Sequence, residues 1–233
     1  MIADRITRLD WSAILAGIDA NGYAVLPGLL DAADCTSLST LYDEDAHFRK
    51  RVVMGQHGFG LGEYKYFTYP LPDPVAALRT KLYPPLAQLA NRWNTAFGIE
   101  ASFPDTHAAY LDHCHAAGQT RATPLLLRYG AGDYNRLHQD LYGEAVFPLQ
   151  ATFLLSAPER DFTGGEFVLI EQRPRQQSRA EVVPLNQGDG VVFAVNHRPV
   201  RETRGFYRAS MRHGVSTIRS GHRMTLGVIF HDG

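Results

Sequence analysis

An α+β chain is the fold class this sequence predicts: helices in the first half, then an all-β core of sandwich or barrel type. Three observations predict it. Before residue 97 apolar residues recur at spacings of three and four, whereas after Thr123 they arrive in short runs, each closed by turn residues. No βαβ alternation accompanies those runs. Finally, 233 residues at 45% hydrophobic and 20% charged suit one large folded domain and exclude a disordered chain or a coiled coil.

The elements follow in order. Trp11, Ile14, Leu15 and Ile18 make a helical stripe, and Asn21-Gly22 supplies its C-terminal stop. Tyr23-Ala24-Val25-Leu26, bounded by Pro27-Gly28, reads as a strand. Asp31 is a good N-cap for a helix over Ala32 to Tyr42, striped by Cys35, Leu38 and Leu41. From Val52 to Asp73 the chain is rich in Gly, Tyr, Phe and Pro without a period, which predicts a long ordered loop and a candidate lid. Pro74 to Phe97 carries Leu78, Leu82, Leu86, Leu89 and Trp93 at helical spacing, with Pro84-Pro85 expected to break or kink the helix. The predicted strands are then Leu125 to Tyr129, Gln150 to Leu155, Phe167 to Ile170, Glu181 to Leu185, Val191 to Ala194 and Thr225 to His231. A single domain over 1–233 is expected, with a helical part and lid loop over 1–122 and the β core over 123–233.

Charge and cysteine usage narrow the function classes. With 23 Lys+Arg against 24 Asp+Glu, the net charge of -1 argues against a dedicated nucleic-acid scaffold while leaving room for a local basic patch. No apolar run approaches the ~18 residues needed to span a bilayer, and Met1 to Asp10 leads into no signal-type apolar core, so a cytoplasmic protein without a membrane partner is expected. Cys35 and Cys114 are too few for a disulfide framework and read as reduced thiols.

His138-Gln139-Asp140 is the strongest chemical signal. Residues i and i+2 of a strand share a face, so this pair can put an imidazole and a carboxylate on one metal. His213, 75 residues later, is the third candidate. Two histidines and one carboxylate form the facial triad that leaves positions open on non-haem Fe(II) for a co-substrate and O2. Arg223 follows His213 by ten residues, within Arg223-Met224-Thr225-Leu226-Gly227-Val228-Ile229-Phe230. A guanidinium buried among such residues is costly unless an anion pairs with it, and its fork suits a carboxylate. A surface-edge strand residue is the plainer reading of Arg223.

In these residues the chain resembles the 2-oxoglutarate and Fe(II)-dependent dioxygenases. Gly22-Tyr23-Ala24-Val25-Leu26-Pro27-Gly28-Leu29-Leu30 is similar to the N-terminal opening of that superfamily, and Arg128-Tyr129-Gly130 through Leu137-His138-Gln139-Asp140 to its first metal-binding strand. Thr163-Gly164-Gly165-Glu166-Phe167 resembles the Gly-Gly-Glu turn of the prolyl-hydroxylase branch, and Gly188-Asp189-Gly190-Val191-Val192-Phe193 the turn and strand before the last ligand. More narrowly, Leu125 to Tyr142 and Phe162 to Asp232 resemble a bacterial family of oxygenases linked to removal of methyl groups from damaged nucleic acid. The resemblance implies a double-stranded β-helix, or jelly roll, with flanking N-terminal helices. It implies Fe(II) on His138, Asp140 and His213, and 2-oxoglutarate chelating the metal with its distal carboxylate on Arg223, assisted by Tyr129 and Thr225. Oxidation of a C–H bond would yield succinate and CO2.

The resemblance leaves the substrate open. Tyr129 stands nine residues before His138, as in AlkB-like demethylases, but Leu127 replaces their asparagine and Ile229 marks the region of a missing arginine. The ten-residue step from His213 to Arg223 is closer to prolyl hydroxylases. A methylated nucleic acid, a peptide (prolyl) side chain and a small molecule all remain, and a non-catalytic jelly-roll binding module is the alternative from another class. Asp112-His113-Cys114-His115 is a weak metal candidate because adjacent side chains point apart. His197, His222 and His231 are rival third ligands without the relation to Arg223. Between Glu171 and Arg223 ten arginines face four acids, either a phosphate-tracking patch or a solvated face. Tyr64, Lys65 and Tyr66 either clamp a substrate or pack their loop.

Overall fold

A computed structural model describes residues 1–141 and 143–233; Tyr142, the end of one string quoted above, lies outside the described residues. The helices and strands in chain order are α1 (Ile2–Thr7), α2 (Trp11–Asn21), β1 (Tyr23–Leu26), α3 (Ala32–Thr40), β2 (Phe48–Val53), β3 (Gly60–Leu61), β4 (Glu63–Phe67), α4 (Asp73–Ala96) and α5 (His107–Ala116). There follow β5 (Leu125–Tyr129), β6 (Tyr134–His138), β7 (Leu149–Leu154), β8 (Phe162–Gly164), β9 (Phe167–Gln172), β10 (Arg179–Val183), β11 (Gly190–Ala194), β12 (His197–Glu202), β13 (Gly205–Val215), β14 (Ile218–Gly221) and β15 (Arg223–Ile229). No helix among them is long and apolar enough to cross a membrane.

Local chemistry explains the helix ends. Asp10 caps α2 through Ala13 N, and the helix stops on Gly22 at φ +81°, a left-handed conformation that costs glycine little. Asp31 caps α3 in a reciprocal capping box with Asp34. The proline pair does not break α4, which runs from Asp73 to Ala96 through Pro84 and Pro85. Its buried face of Leu78, Leu82, Leu86, Leu89 and Trp93 offsets two missing N–H donors, and the carbonyls those prolines leave free belong to the exposed residues Thr80 and Lys81.

Among the described residues two antiparallel sheets dominate. One has the order β1-β11-β7-β15-β5-β4-β2, the other β10-β9-β13-β6-β3 with β12 also on β13. The opening motif and the Gly-Asp-Gly motif turn out to be partners: Tyr23 to Leu26 pair with Phe193 to Gly190, and Asp189 accepts from Gly28 N at 2.7 Å. Gly188, at φ +86°, has no room for a side chain, because a Cβ there would stand 2.0 Å from Leu30 O. Helices α1 to α5 cover the outer face of the first sheet, joining Leu126, Phe153, Leu226 and Val228 in one apolar core. Its inner face meets the second sheet through Phe167, Leu169, Val191 and Phe193.

The segment from Val52 to Asp73 is not the long loop that its composition predicts. It carries the end of β2, then β3 and β4, and β4 pairs with β5 in the first sheet. Alternation sorts its side chains: Tyr64 and Tyr66 face inward, while Lys65 and Phe67 face the helices. Both cysteines are free, and both are buried.

Candidate active site

Between the sheets lies a cavity of about 430 Å³. Arg223, Thr225, Gly227 and Ile229 alternate along β15 on its wall, while Leu226 and Val228 between them face the helical core. On the neighbouring β5, Leu125, Leu127 and Tyr129 do the same. Strand period two thus puts Tyr129 beside Arg223, its register partner, at one end of the cavity.

His138, Asp140 and His213 come together on the opposite sheet. Their candidate donor atoms lie within 4.8 Å of one another, and no other group of three or more His, Cys, Asp or Glu side chains among the described residues does so. His138 ends β6 and pairs in register with His213 of β13, whereas Asp140 stands two residues past the strand rather than on it. The turn is held by Gln139, whose amide points the other way and donates to Met211 O at 2.8 Å and Asn196 Oδ1 at 3.0 Å. Both imidazole Nε2 atoms lie 3.4 Å from Asp140 oxygens. Two donors about 2.1 Å from one ion at a right angle stand roughly 3 Å apart, so this spacing fits one shared ion. His138 Nδ1 is 2.6 Å from Arg136 O, so Nδ1 carries a proton and, in the neutral ring, Nε2 is the lone-pair donor. Burial would raise the Asp140 pKa, but hydrogen bonding and charge from the two imidazoles outweigh it and keep the carboxylate ionised well below its usual range. For His213, burial comes first and the neighbouring His138 second in lowering its pKa toward the neutral, metal-binding form.

Arg223 is 2% exposed, and its Nε and Nη1 find no partner among the described residues. Burial lowers its pKa to about 10, so it stays cationic at neutral pH. Tyr129 is fully buried and its hydroxyl makes no hydrogen bond of ordinary geometry among the described residues; burial pushes its pKa up, opposed by the Arg223 charge and a weaker, longer approach of the Asn135 amide. Gly165, at φ +65°, makes room for the guanidinium arm: a Cβ there would stand 2.9 Å from Arg223 Cδ. That is the physical content of the Gly-Gly-Glu turn. An unpaired cation, an unpaired hydroxyl and a three-donor metal site in one cavity can bind a molecule with one carboxylate at each end.

The remaining candidates separate cleanly. Lys65 leaves the site, since its ammonium binds Tyr42 O at 2.8 Å and Asp45 at 2.6 Å, while Tyr64 and Tyr66 line the cavity. Asp112, His113, Cys114 and His115 lie on α5, with Cys114 buried and His115 turned to Asp232 at 2.9 Å. His197 starts β12, His222 is exposed and His231 accepts from Phe147 N, all outside the triad. The arginine excess is partly internal: Arg173 and Arg198 both pair with Glu171, and Arg208 lies 4.6 Å over the Phe97 ring. Sequence reasoning missed Gln150, a buried amide in the cavity wall; read as the polar start of an apolar run, it gave no other signal.

Comparison with known proteins bears on this arrangement. The model of the Oxygenase-NA family, described as "Oxygenase, catalysing oxidative methylation of damaged DNA", matches residues 62–233. Two proteins of Mycobacterium tuberculosis, both described as uncharacterized, are each 54% identical over 166 residues, 71% of this chain and 71% of theirs. Among solved structures, the non-haem α-ketoglutarate-dependent epimerase SnoN of nogalamycin biosynthesis superposes with a TM-score of 0.56 at 18% identity, over 93% of this chain and 80% of its own. A 2OG-Fe(II) oxygenase-family oxidoreductase from Burkholderia pseudomallei gives 0.55 at 17%, over 97% and 93%. A Pseudomonas putida prolyl-4-hydroxylase gives 0.53 at 14%, over 93% and 96%. At such identities the structural likeness is one of fold.

Proposed function

The chain belongs to the Oxygenase-NA family, and on that footing we propose that it oxidises the N-methyl group of an alkylated nucleobase. It is a 2-oxoglutarate-dependent Fe(II) oxygenase. Its two packed sheets are read as the double-stranded β-helix of that superfamily, with His138, Asp140 and His213 as the iron ligands. The observation that carries the reading is the unpaired Arg223 and Tyr129 in the same cavity as the triad. Bound Fe(II) with 2-oxoglutarate and O2 supplies insertion of one oxygen atom into a C–H bond, the other entering succinate as CO2 leaves; on an N-methyl carbon the hydroxylated product then releases formaldehyde.

The protein's own residues do the rest. Asp140 brings the negative charge that a divalent ion needs, and two neutral imidazoles complete the protein's three donors. Arg223 holds the distal carboxylate of 2-oxoglutarate, with the Tyr129 hydroxyl donating to it and Thr225 alongside. Apolar walls keep water from the reacting carbon. At the mouth, exposed Arg136 and the ring of exposed Phe59 offer a cation and a stacking face.

Anaerobic addition of 2-oxoglutarate to the Fe(II)-loaded protein should produce the visible charge-transfer band of the chelate. His213→Ala should abolish the band and succinate formation, while His197→Ala keeps both; the reverse pattern would replace His213 as third ligand. The substrate reading is tested separately, on protein loaded with an inert metal and a 2-oxoglutarate analogue. Affinity for a methylated oligonucleotide should fall steeply between two ionic strengths as phosphate-bound counterions return. Absence of binding at low salt to single and double strands moves the substrate to a peptide or small molecule and leaves the oxygenase assignment intact.

A further inference from the structure

The cavity extends beyond the groups assigned to 2-oxoglutarate. Along β15 the lining residues advance from Arg223 to Ile229, so at about 3.3 Å per residue their Cα atoms stand roughly 20 Å apart. A five-carbon diacid seated on Arg223 ends short of that level. Gln150 of β7 is the register partner of Ile229, and on its other side of Phe193, whose ring lies 4.6 Å from the His213 ring. The side chain therefore lines the metal-site end of the cavity, away from Arg223.

Gln150 is 6% exposed, and its Oε1 is buried without a partner among the described residues. Its lining neighbours Leu125, Gly227 and Ile229 bring no side-chain hydrogen-bonding group, and the hydroxyl of Thr152, two residues along β7, donates to Leu226 O at 3.2 Å. Tyr64 and Tyr66, with ring centroids 5.3 Å apart, wall the same chamber on β4. A buried amide whose oxygen the fold does not use, inside a largely apolar and aromatic chamber, has the form of a recognition group: the apolar surface supplies affinity for a flat ring, and the amide, able to donate and to accept, reads its polar edge.

We propose that Gln150 is the specificity-determining residue for the primary substrate, hydrogen-bonding the polar edge of the inserted ring beside Tyr64 and Tyr66. This rests on the nucleobase reading above. It assigns no chemistry to Gln150, which orients the ring so that its methyl group faces the metal site.

The test compares wild type with Gln150→Leu, which keeps side-chain size and removes the amide. Thermal stability is measured on metal-free protein, 2-oxoglutarate affinity from the anaerobic charge-transfer titration, and binding with two otherwise identical oligonucleotides carrying one 3-methylcytosine or one abasic site. The wild type should prefer the methylated base, and Gln150→Leu should lose about tenfold of that preference, the order a pair of neutral hydrogen bonds supplies. Its affinity for the abasic strand and for 2-oxoglutarate should not change, and its Tm should stay or rise because no internal bond is lost. A Tm drop of several degrees, or a tenfold loss of 2-oxoglutarate affinity, overturns the proposal by making Gln150 structural or a co-substrate group. Retention of the preference by Gln150→Leu overturns it while sparing the nucleobase reading. If the wild type itself shows no preference, both fall together, with the 2-oxoglutarate titration still intact.

Discussion

At each end of one strand the molecule buries an arginine, and it treats the two oppositely. Arg79 of α4 reaches the chain just past β15, is 1% exposed and is fully used: its Nε donates to Ile229 O at 2.8 Å, its Nη1 to the Tyr69 hydroxyl at 2.6 Å, and its Nη2 to His231 O at 2.9 Å and Asp232 at 2.7 Å. Arg223 opens β15, is equally buried, and has two nitrogens unpaired among the described residues. Burying a charge without a partner opposes folding, so it persists only where something outside the fold completes it. Burial alone therefore marks neither stability nor function; the state of the hydrogen-bond partners does.

Removing each arginine should separate the two ends. Arg79→Leu leaves Asp232 buried with its cation gone and several carbonyls unpaired, and should cost about 3 to 5 kcal/mol in denaturant unfolding. Arg223→Leu should leave stability unchanged or raise it, since no internal pair is broken. Equal destabilisation by both would erase the distinction. The Arg79 end should also respond to acid. Burial first, and the Arg79 charge second, lower the pKa of His107 to about 4, and the same two causes lower His231 to about 4. The unfolded chain takes up these protons near pH 6.5, before the folded one does, so stability is complete above that pH and declines as pH falls toward 4. The ceiling is roughly 3 kcal/mol for each histidine. His107→Gln, which keeps a donor for Phe230 O, should flatten the slope of unfolding free energy between pH 6.5 and 4; an unchanged slope removes His107 from the account.

Legibility in the sequence follows the same division between what is local and what is not. β5 could be read to its last residue because Leu125 to Tyr129 is a bounded apolar run, and the cap of α3 because Asp31 sits directly before its stripe. β13, which carries His213, stayed hidden: Gly205–Val215 holds arginines on its open face, and only its last residues are continuously buried. α5 was missed because its buried residues are His107, Tyr110 and Cys114, not a leucine stripe, although Thr106 accepting from Ala109 N gives the cap that could have marked it. At the site, the spacing of His138, Asp140 and His213 pointed to residues that the fold brings together, since a triad is a matter of residue type. Gln150 has no such type; its role depends on the absence of a partner, which only three dimensions reveal.

On the open end the effects should be read in co-substrate binding, not in stability. Arg223→Ala should raise the Michaelis constant for 2-oxoglutarate by about tenfold or more, because a charge-assisted pair contributes on the order of 1.5 to 3 kcal/mol. An unchanged constant would take Arg223 out of the co-substrate site. Arg223→Lys should recover part of the loss, keeping the charge but not the fork.

Tyr129→Phe should produce the smallest effect, and it tests whether the open end acts as a unit. The ring packs in a small core with Met54, Leu154 and Phe162, and the substitution keeps that packing while removing only a hydroxyl unpaired among the described residues. Stability should therefore hold or rise slightly, as it does when an unsatisfied buried polar atom is deleted. One hydrogen bond from a hydroxyl to a carboxylate, against the two an arginine fork can make, contributes on the order of 1.5 kcal/mol, so 2-oxoglutarate should bind roughly tenfold more weakly. The Arg223 guanidinium lies 5.8 Å from the centre of the Tyr129 ring, close enough for the two to share one carboxylate. In the double variant Tyr129→Phe with Arg223→Ala, the hydroxyl should then contribute less than it does alone, because the carboxylate is no longer held in place. Strict additivity in 2-oxoglutarate affinity would place Tyr129 and Arg223 on different parts of the ligand.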